Sequence, residues 1–206
     1  QRAQQWFTEH GTAEEQAQID LYLGRAYVED GEYDKAMQIY ADALQLAKEH
    51  QAYNVAGYIC AYMADLYGFR DITSECLKKR EEACEFFKKA ENYKSYAYSL
   101  KDLAGEWAIL DSFACTIPLL QKADSISQLL HNKNLTAAIA NAFALIYEMQ
   151  GKYNEAEPLV DYILSCHGNQ KEYLVDKYTD FKKYVEKKLV KPMTITKEAG
   201  VFVCRK

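Results

Sequence analysis

An aromatic residue recurs every 40 residues along most of this 206-residue chain, and this spacing restricts the fold more than any other feature. A small side chain stands three residues before each aromatic, and another small or short one stands nine residues after it. A fixed period of this size predicts a stacked array in which one pair of secondary-structure elements is repeated. The aromatic residues are Tyr27, Tyr67, Trp107 and Tyr147, the small residues before them Gly24, Ala64, Ala104 and Ala144, and those after them Ala36, Cys76, Thr116 and Ala156.

The segments 23–44 and 143–164 indicate what the repeated unit is. Their apolar residues recur at spacings of three and four, which places them on one stripe of a helix. Gly31 and Gly151 interrupt this pattern, and glycine readily takes the positive φ that ends a helix. Each period therefore predicts two antiparallel helices joined by a tight turn.

This order of residues resembles the tetratricopeptide repeat family, as LGRAYVEDGEYDKAMQIYADAL (23–44) shows best. The resemblance covers residues 13–168 and is weakest in the second copy, where Thr73 replaces the tyrosine of the turn and Arg80 replaces the aromatic of the second helix. The usual period of the family is about 34 residues. Because the period here is 40 residues, we expect helices about one turn longer, or looser loops.

The resemblance implies an all-α fold, a right-handed α-α superhelix of about four helical hairpins followed by a C-terminal capping helix. Thr12 and Glu15 have the spacing of a capping box, which predicts where the first helix begins. The expected segments are a lead-in over 1–12, repeats over 13–52, 53–92, 93–132 and 133–168, a capping helix over 169–190 and a tail over 191–206. The expected helices of the repeats span 13–30 and 33–50, 53–70 and 73–90, 93–110 and 113–131, and 135–150 and 153–166. The tail contains two β-prone segments, so that a hairpin and an extended tail are both compatible with it.

Composition argues against several classes of function. The net charge is −5 and the basic residues are scattered, whereas nucleic-acid binding requires clustered Lys and Arg. No apolar run is long enough to cross a membrane. The six cysteines include no Cys-x-x-Cys pair, so we expect no zinc site, and an array of this size does not need disulfides. This cysteine usage favours a reducing compartment.

The sequence also lacks the usual marks of an enzyme. It contains no His-Glu-x-x-His, no glycine-rich phosphate loop and no Gly-x-Ser-x-Gly elbow. All four histidines fall at expected helix ends or turns, where capping is their ordinary role. We therefore expect no catalysis, no cofactor and no metal.

The resemblance implies instead a protein or peptide ligand, held in a groove lined by the first helix of each pair. Positions before and after each repeated aromatic are expected to face this groove, and aromatic side chains commonly dominate interface energies. The candidate groove residues are Arg25, Glu29, Tyr58, Asp65, Phe69, Tyr98, Lys101, Asn141 and Glu148. A ligand with an apolar anchor and a basic group, which would meet Asp65 or Glu148, fits this set best. Phe69 and Tyr98 are equally compatible with packing against neighbouring helices.

Some members of the family hold a terminal carboxylate with a clamp of Lys, Asn and Arg. Lys101 and Asn141 match that clamp in kind, but Asp65 would repel a carboxylate, so we expect the clamp to be absent. The alternative function is a self-association module that forms a homodimer through the capping helix and the tail.

The phrases LYLGRAYVEDGEYDKAMQIYADAL and YSLKDLAGEWAIL also resemble the repeat regions of large envelope-associated bacterial signalling proteins. This resemblance implies an extracytoplasmic location and a role as the sensor part of a larger protein; without it, a cytoplasmic location is expected. The chain begins at Gln1 rather than Met, so we expect a removed signal peptide, a lipoprotein anchor or a fragment boundary upstream.

Overall fold

The computed structural model of this chain describes residues 6–7, 9–149, 194–198 and 201–205. Between residues 13 and 149 it contains seven α-helices of 17 residues each, joined by three-residue connections. The helices are α1 (Ala13–Glu29), α2 (Tyr33–Glu49), α3 (Tyr53–Phe69), α4 (Thr73–Lys89), α5 (Tyr93–Ile109), α6 (Phe113–Leu129) and α7 (Lys133–Met149). The prediction of an all-α fold of consecutive helical hairpins is confirmed over this region. The expected helices at 153–166 and 169–190 lie outside the described residues.

The helices end in the same way every twenty residues, at positions where the backbone φ is positive. These positions are Gly31, Gln51, Asp71, Glu91, Asp111 and His131. After the first of them, the Glu32 amide donates to the Tyr27 carbonyl at 2.8 Å, and four of the later turns repeat this bond. A left-handed residue followed by such a bond is a common way to end a helix. Gly31 is the one glycine of the series, so the turns recur even where the sequence carries no glycine.

The predicted capping box at the start of α1 is confirmed. The amide of Glu15 donates to the Thr12 side chain, and the Glu15 carboxylate accepts from the Thr12 amide at 2.8 Å. Hydrogen bonds from the backbone and the side chain of Thr12 lower the pKa of Glu15. Asn92 and Asn132 accept equivalent amide bonds at the starts of α5 and α7.

The chain divides into two compact units, residues 1–131 and residues 132–206. In the first unit the helices form three hairpins, α1–α2, α3–α4 and α5–α6, and each hairpin contacts the next. The first helices α1 and α3 also contact each other directly. We call the surface formed by α1, α3 and α5 the first-helix face.

Small residues allow the helices of each hairpin to approach closely. A Cβ atom at Gly24 would lie 2.2 Å from Cε1 of Tyr40, and one at Gly57 would lie 2.8 Å from the ring of Phe87. Tyr40 and Phe87 are almost completely buried. Burying a large apolar side chain stabilises a fold by roughly 1.5–3 kcal/mol, so these contacts matter for the hairpins. The repeated aromatics themselves, such as Tyr27, are only half-buried.

The second unit is described over α7 and over two strands, β1 (Thr194–Glu198) and β2 (Val201–Arg205). The strands pair antiparallel, with Thr194 opposite Arg205 and Glu198 opposite Val201. The tail therefore contains a β-hairpin. Among the described helices, none combines the length and the apolar character that a bilayer span requires.

Candidate functional site

A cleft of about 270 Å³ opens in the first unit between α1, α2 and α3. Three of the residues predicted to bind a ligand, Arg25, Glu29 and Asp65, line this cleft together. Its other lining residues are Val28 of α1, Tyr40 of α2, and Tyr62 and Leu66 of α3. The cleft combines apolar walls with a few polar groups, which is the usual character of a ligand site.

Tyr40 lies in the cleft with its side chain fully buried. Its ring packs beside Gly24 and stacks with the ring of Tyr62 at a centroid distance of 6.2 Å. Its hydroxyl has no hydrogen-bond partner among the described residues. Burial raises the pKa of Tyr40 well above its usual range, so the hydroxyl stays protonated near neutral pH.

Arg25 lies on the wall of the cleft beside Tyr40. Its guanidinium carbon is 5.2 Å from the centroid of the Tyr62 ring, a distance typical of a cation–π contact. Arg25 is exposed, and it forms no ion pair with any residue that the structure describes. Its guanidinium donors therefore remain available to an acceptor in the cleft.

Asp65, on the opposite wall, already has a partner in the protein. The Nη2 of Arg80 donates to Oδ1 of Asp65 at 2.6 Å and lies 3.4 Å from Oε1 of Glu106. Arg80 thus connects α3 to α5 and neutralises Asp65, whose side chain is 56% exposed. The sequence alone suggested a carboxylate free to attract a basic ligand group, and this ion pair weakens that preference.

The structure places Tyr58 and Phe69 in contact with other helices. The Tyr58 hydroxyl lies 2.8 Å from Oγ of Ser95, and its ring meets Phe87 edge-on at 4.8 Å. Phe69, at the end of α3, is 73% exposed and has its ring 5.3 Å from that of Tyr33. Neither residue lines the cleft.

The remaining predicted residues are dispersed. Tyr98 and Lys101 are half-buried on α5, and Lys101 forms a hydrogen bond to its neighbour Asp102. Asn141 is exposed on α7, in the second unit. The side chain of Glu148 lies outside the described residues.

Sequence reasoning missed three residues of this region, Tyr40, Tyr62 and Arg80. Tyr40 occupies a repeat position that ordinarily indicates packing, so its unpartnered hydroxyl gave no signal. Arg80 did carry a signal, because a charged residue at a position usually occupied by a buried aromatic requires a partner. Asp65, fifteen residues earlier, is that partner.

The buried thiols are not poised as nucleophiles. Burial raises the pKa of Cys60 and of Cys84 to about 12 and that of Cys76 to about 11. The thiolate is the reactive form of cysteine, and these groups hardly populate it near neutral pH. Over the residues that the structure describes, no three His, Cys, Asp or Glu side chains cluster in a way that could hold a metal ion.

Comparison with known proteins agrees with this architecture. Residues 21–50 match a family model described as a tetratricopeptide repeat. The chain is also similar to the crystal structure of BtubC (BKLC) from P. vanneervenii, with a TM-score of 0.62 and 13% sequence identity over 100% of this chain and 93% of that chain. At this identity the likeness shows the fold alone. No curated protein matches the chain.

Tetratricopeptide repeats are generally non-catalytic scaffolds for protein interactions. The matched segment contains most of the hairpin α1–α2, and the following hairpins repeat its helix length and its turns. Residues 21–50 therefore match a tetratricopeptide repeat, in agreement with the resemblance that the spacing indicates, and the other hairpins share the architecture of this segment.

Proposed function

We propose that this chain is a non-catalytic scaffold that binds a protein or peptide ligand on the first-helix face. The observation that carries this proposal is the cleft between α1, α2 and α3. Its walls include the fully buried Tyr40 and the exposed Arg25, whose guanidinium forms no ion pair with any residue that the structure describes. The unused donors of this guanidinium favour a ligand that supplies acceptors.

The size of the cleft favours a peptide over an isolated small molecule. Small-molecule sites usually enclose roughly 300–1,000 Å³. A cleft of about 270 Å³ accommodates about one side chain, so most of a ligand would lie outside it. The ion pairs of Arg80 with Asp65 and Glu106 extend a polar surface from α3 to α5, on which the rest of a peptide can lie.

The test is a selection of peptides from a random display library on the purified chain, followed by affinity measurements with variants. Arg25→Glu reverses an exposed charge in the cleft, and Lys88→Glu reverses an exposed charge on the second helix α4. We expect Arg25→Glu to weaken the selected peptides about tenfold or more, because it removes donors and introduces a like charge beside Glu29 and Asp65. Lys88→Glu should change the affinity little. Equal binding by both variants would show that the ligand does not use this face.

We also propose a more specific role and a location for this chain. The resemblance of two of its segments to the repeat regions of envelope-associated bacterial proteins supports a role as the sensor part of a signalling protein and a location outside the cytoplasmic membrane. Sequencing the gene on both sides of this segment tests that role. A signal sequence upstream and an apolar span downstream are expected, and an uninterrupted cytoplasmic domain would contradict it.

Self-association is the second candidate function, and the β1–β2 hairpin favours it. In this two-stranded sheet each strand has an outer edge without a neighbour among the described residues, and such an edge can pair with a second chain. Sedimentation of the full chain and of a version ending at residue 190 tests this function. A dimer that dissociates on removal of 191–206 would support it, and a concentration-independent monomer would exclude it.

A further inference from the structure

We propose that the two opposite edges of the first unit bind each other between copies of this chain, so that copies associate head to tail. This contact uses neither the cleft nor the hairpin at 194–205, so it goes beyond the proposed function and differs from pairing through the tail. The proposal follows from the apolar residues exposed at both edges and from the charges that surround them.

One edge of the first unit is formed by the turns within the three hairpins, and we call it the turn edge. The ion pair between Arg70 and Asp34, at 2.6 Å, brings the first two turns together. The contact between Arg80 and Glu106, at 3.4 Å, joins the first half of α4 to the last turn of α5, next to the third turn. The three turns therefore form one continuous surface.

The turn edge exposes several large apolar side chains close to one another. Phe69 and Ile109 are the last residues of α3 and α5, and they are 73% and 70% exposed. Ile72 and Leu110, in the adjoining connections, are 39% and 42% exposed. Because α4 packs against both α3 and α5, these residues belong to neighbouring turns. Single exposed apolar residues are normal on a protein surface, but a contiguous group of them marks an interaction site.

The opposite edge is formed by the connections between hairpins, and we call it the connection edge. The side chain of Asn92 donates to that of Asn54 at 2.8 Å, which brings the starts of α3 and α5 together. Tyr93, the first residue of α5, is 48% exposed, and Leu129, the last residue of α6, is 80% exposed. Since α5 has 17 residues, its ends lie about 25 Å apart, and one copy can meet a different neighbour at each edge.

The charges around these apolar residues differ between the two edges. Each edge comprises its connections and the two helical residues on either side of them within the first unit. The turn edge then has six exposed carboxylates and one arginine, whereas the connection edge has four exposed lysines and two carboxylates. They are Glu29, Asp30, Glu32, Asp34, Asp71, Asp111 and Arg70 on the turn edge, and Lys48, Lys88, Lys89, Lys94, Glu49 and Glu91 on the connection edge.

Most of these charges are available to a partner. Intramolecular ion pairs occupy Glu32 and Asp34 on the turn edge and Lys48 on the connection edge. The other carboxylates of the turn edge and the other lysines of the connection edge form no ion pair with any residue that the structure describes.

Charge complementarity identifies the connection edge of a second copy as the occupant of the turn edge. A second turn edge would bring carboxylates against carboxylates, and an anionic membrane surface would repel them in the same way. The connection edge brings lysines to those carboxylates and apolar residues to the apolar residues between them. A contact between two different surfaces is heterologous, so that copies add head to tail instead of closing as a two-fold dimer.

Sedimentation of the full chain from about 1 µM to about 1 mM tests this contact. Phe69→Ser combined with Ile109→Ser removes the apolar residues of the turn edge, and Tyr93→Ser combined with Leu129→Ser removes those of the connection edge. We expect the wild type to form dimers and larger species, and each double variant alone to associate at least about tenfold more weakly. An equimolar mixture of the two variants should form a dimer and nothing larger, because each variant keeps the edge that the other lacks.

Two controls separate this contact from effects on the fold and from the tail. All four replaced side chains are largely exposed, so the melting temperatures of both variants should stay close to that of the wild type. Tyr22→Ser removes an exposed aromatic of α1 outside both edges and should leave the association unchanged. A version ending at residue 190 should associate as the full chain does, and loss of association in that version would assign the contact to the tail.

The remaining outcomes would each overturn the proposal. They are a wild type that sediments as a monomer at every concentration, association that both variants retain, and a mixture that contains only monomers. If the Tyr93 and Leu129 variant associates fully while the Phe69 and Ile109 variant does not, the turn edge pairs with itself and the head-to-tail contact is wrong. None of these results bears on peptide binding at Arg25, which is measured separately.

Discussion

One position of the second helix in each hairpin of the first unit is occupied by three different residues. Tyr40, Arg80 and Leu120 stand 40 residues apart, and Tyr40 and Arg80 contact residues of the first helices. Tyr40 has a buried hydroxyl without a partner among the described residues, Arg80 forms an ion pair with Asp65, and Leu120 is a fully buried apolar residue. The same repeat position thus differs in polarity from one hairpin to the next.

Residue spacing predicted part of the cleft and could not predict the rest. Arg25, Glu29 and Asp65 were identified because their offsets from Tyr27 and Tyr67 fix the face on which they lie. Whether the Tyr40 hydroxyl has a hydrogen-bond partner depends on which atoms lie within hydrogen-bonding distance, and that is set by packing among three helices. Spacing along one helix does not contain this information.

Gly24→Ala is expected to destabilise the first hairpin. The added Cβ would lie 2.2 Å from a ring atom of the fully buried Tyr40, so that the ring or the helix must shift. Overpacking of this kind costs about 1–3 kcal/mol in the free energy of unfolding, measured by urea denaturation. Gly105→Ala is the matched control, because a Cβ there would meet no atom within 4 Å. It should stabilise α5 by about 0.5–1 kcal/mol through helix propensity, and equal effects at the two sites would contradict the packing described here.

At the scale of whole helices, the sequence predicted the helices more clearly than it predicted the turns between them. Gly31 was a clear stop signal, but Gln51 and Glu91 hold the same left-handed conformation without being glycine. Each of them is the middle residue of a three-residue connection between two 17-residue helices. The extra length of the period relative to the family is taken up by these long helices, one of the two expected possibilities.

The left-handed turns predict opposite effects of glycine and alanine. Glu91→Gly should raise the free energy of unfolding by up to about 1 kcal/mol. A non-glycine residue in this conformation costs roughly 1–2 kcal/mol, and the greater conformational entropy that glycine loses on folding offsets part of the gain from removing that cost. Gly31→Ala should lower it by about 1 kcal/mol, although no atom lies within 4 Å of the added Cβ. Thermal or urea unfolding measures both. A destabilised Glu91→Gly would show that the side chain makes a contact worth more than the backbone strain.

The ion pairs of Arg80 are expected to stabilise the packing of the hairpins more than the ion pair between Arg70 and Asp34 does. Arg80 and Arg70 each donate to an aspartate at 2.6 Å, but the Arg80 side chain is 12% exposed, while Arg70 pairs with Asp34, which is 93% exposed. Arg80→Ala should cost about 1–3 kcal/mol of unfolding free energy, because it leaves a partly buried Glu106 without its partner. Arg70→Ala should cost about 0–1 kcal/mol. Equal losses in urea unfolding would contradict a special role for Arg80.

For the whole molecule, the period predicted the succession of helices but not the division into two units. The spacing of 40 residues runs unchanged from α6 into α7, across the boundary between residues 131 and 132. A repeat pattern reports which residues occupy equivalent places, whereas a boundary between units depends on how many contacts cross it. The first-helix face of α1, α3 and α5 lies within the first unit.

The most direct test of the peptide-binding face is to map a bound peptide by photo-crosslinking. A peptide selected on the full chain would carry a photoreactive group, and the crosslinked residues would be identified by mass spectrometry. We predict crosslinks on α1 and α3 around Arg25 and Asp65, and we expect Arg25→Glu to abolish them while Lys88→Glu leaves them intact. Crosslinks confined to the second helices α2, α4 and α6 or to the hairpin at 194–205 would contradict the claim that the first-helix face holds the ligand.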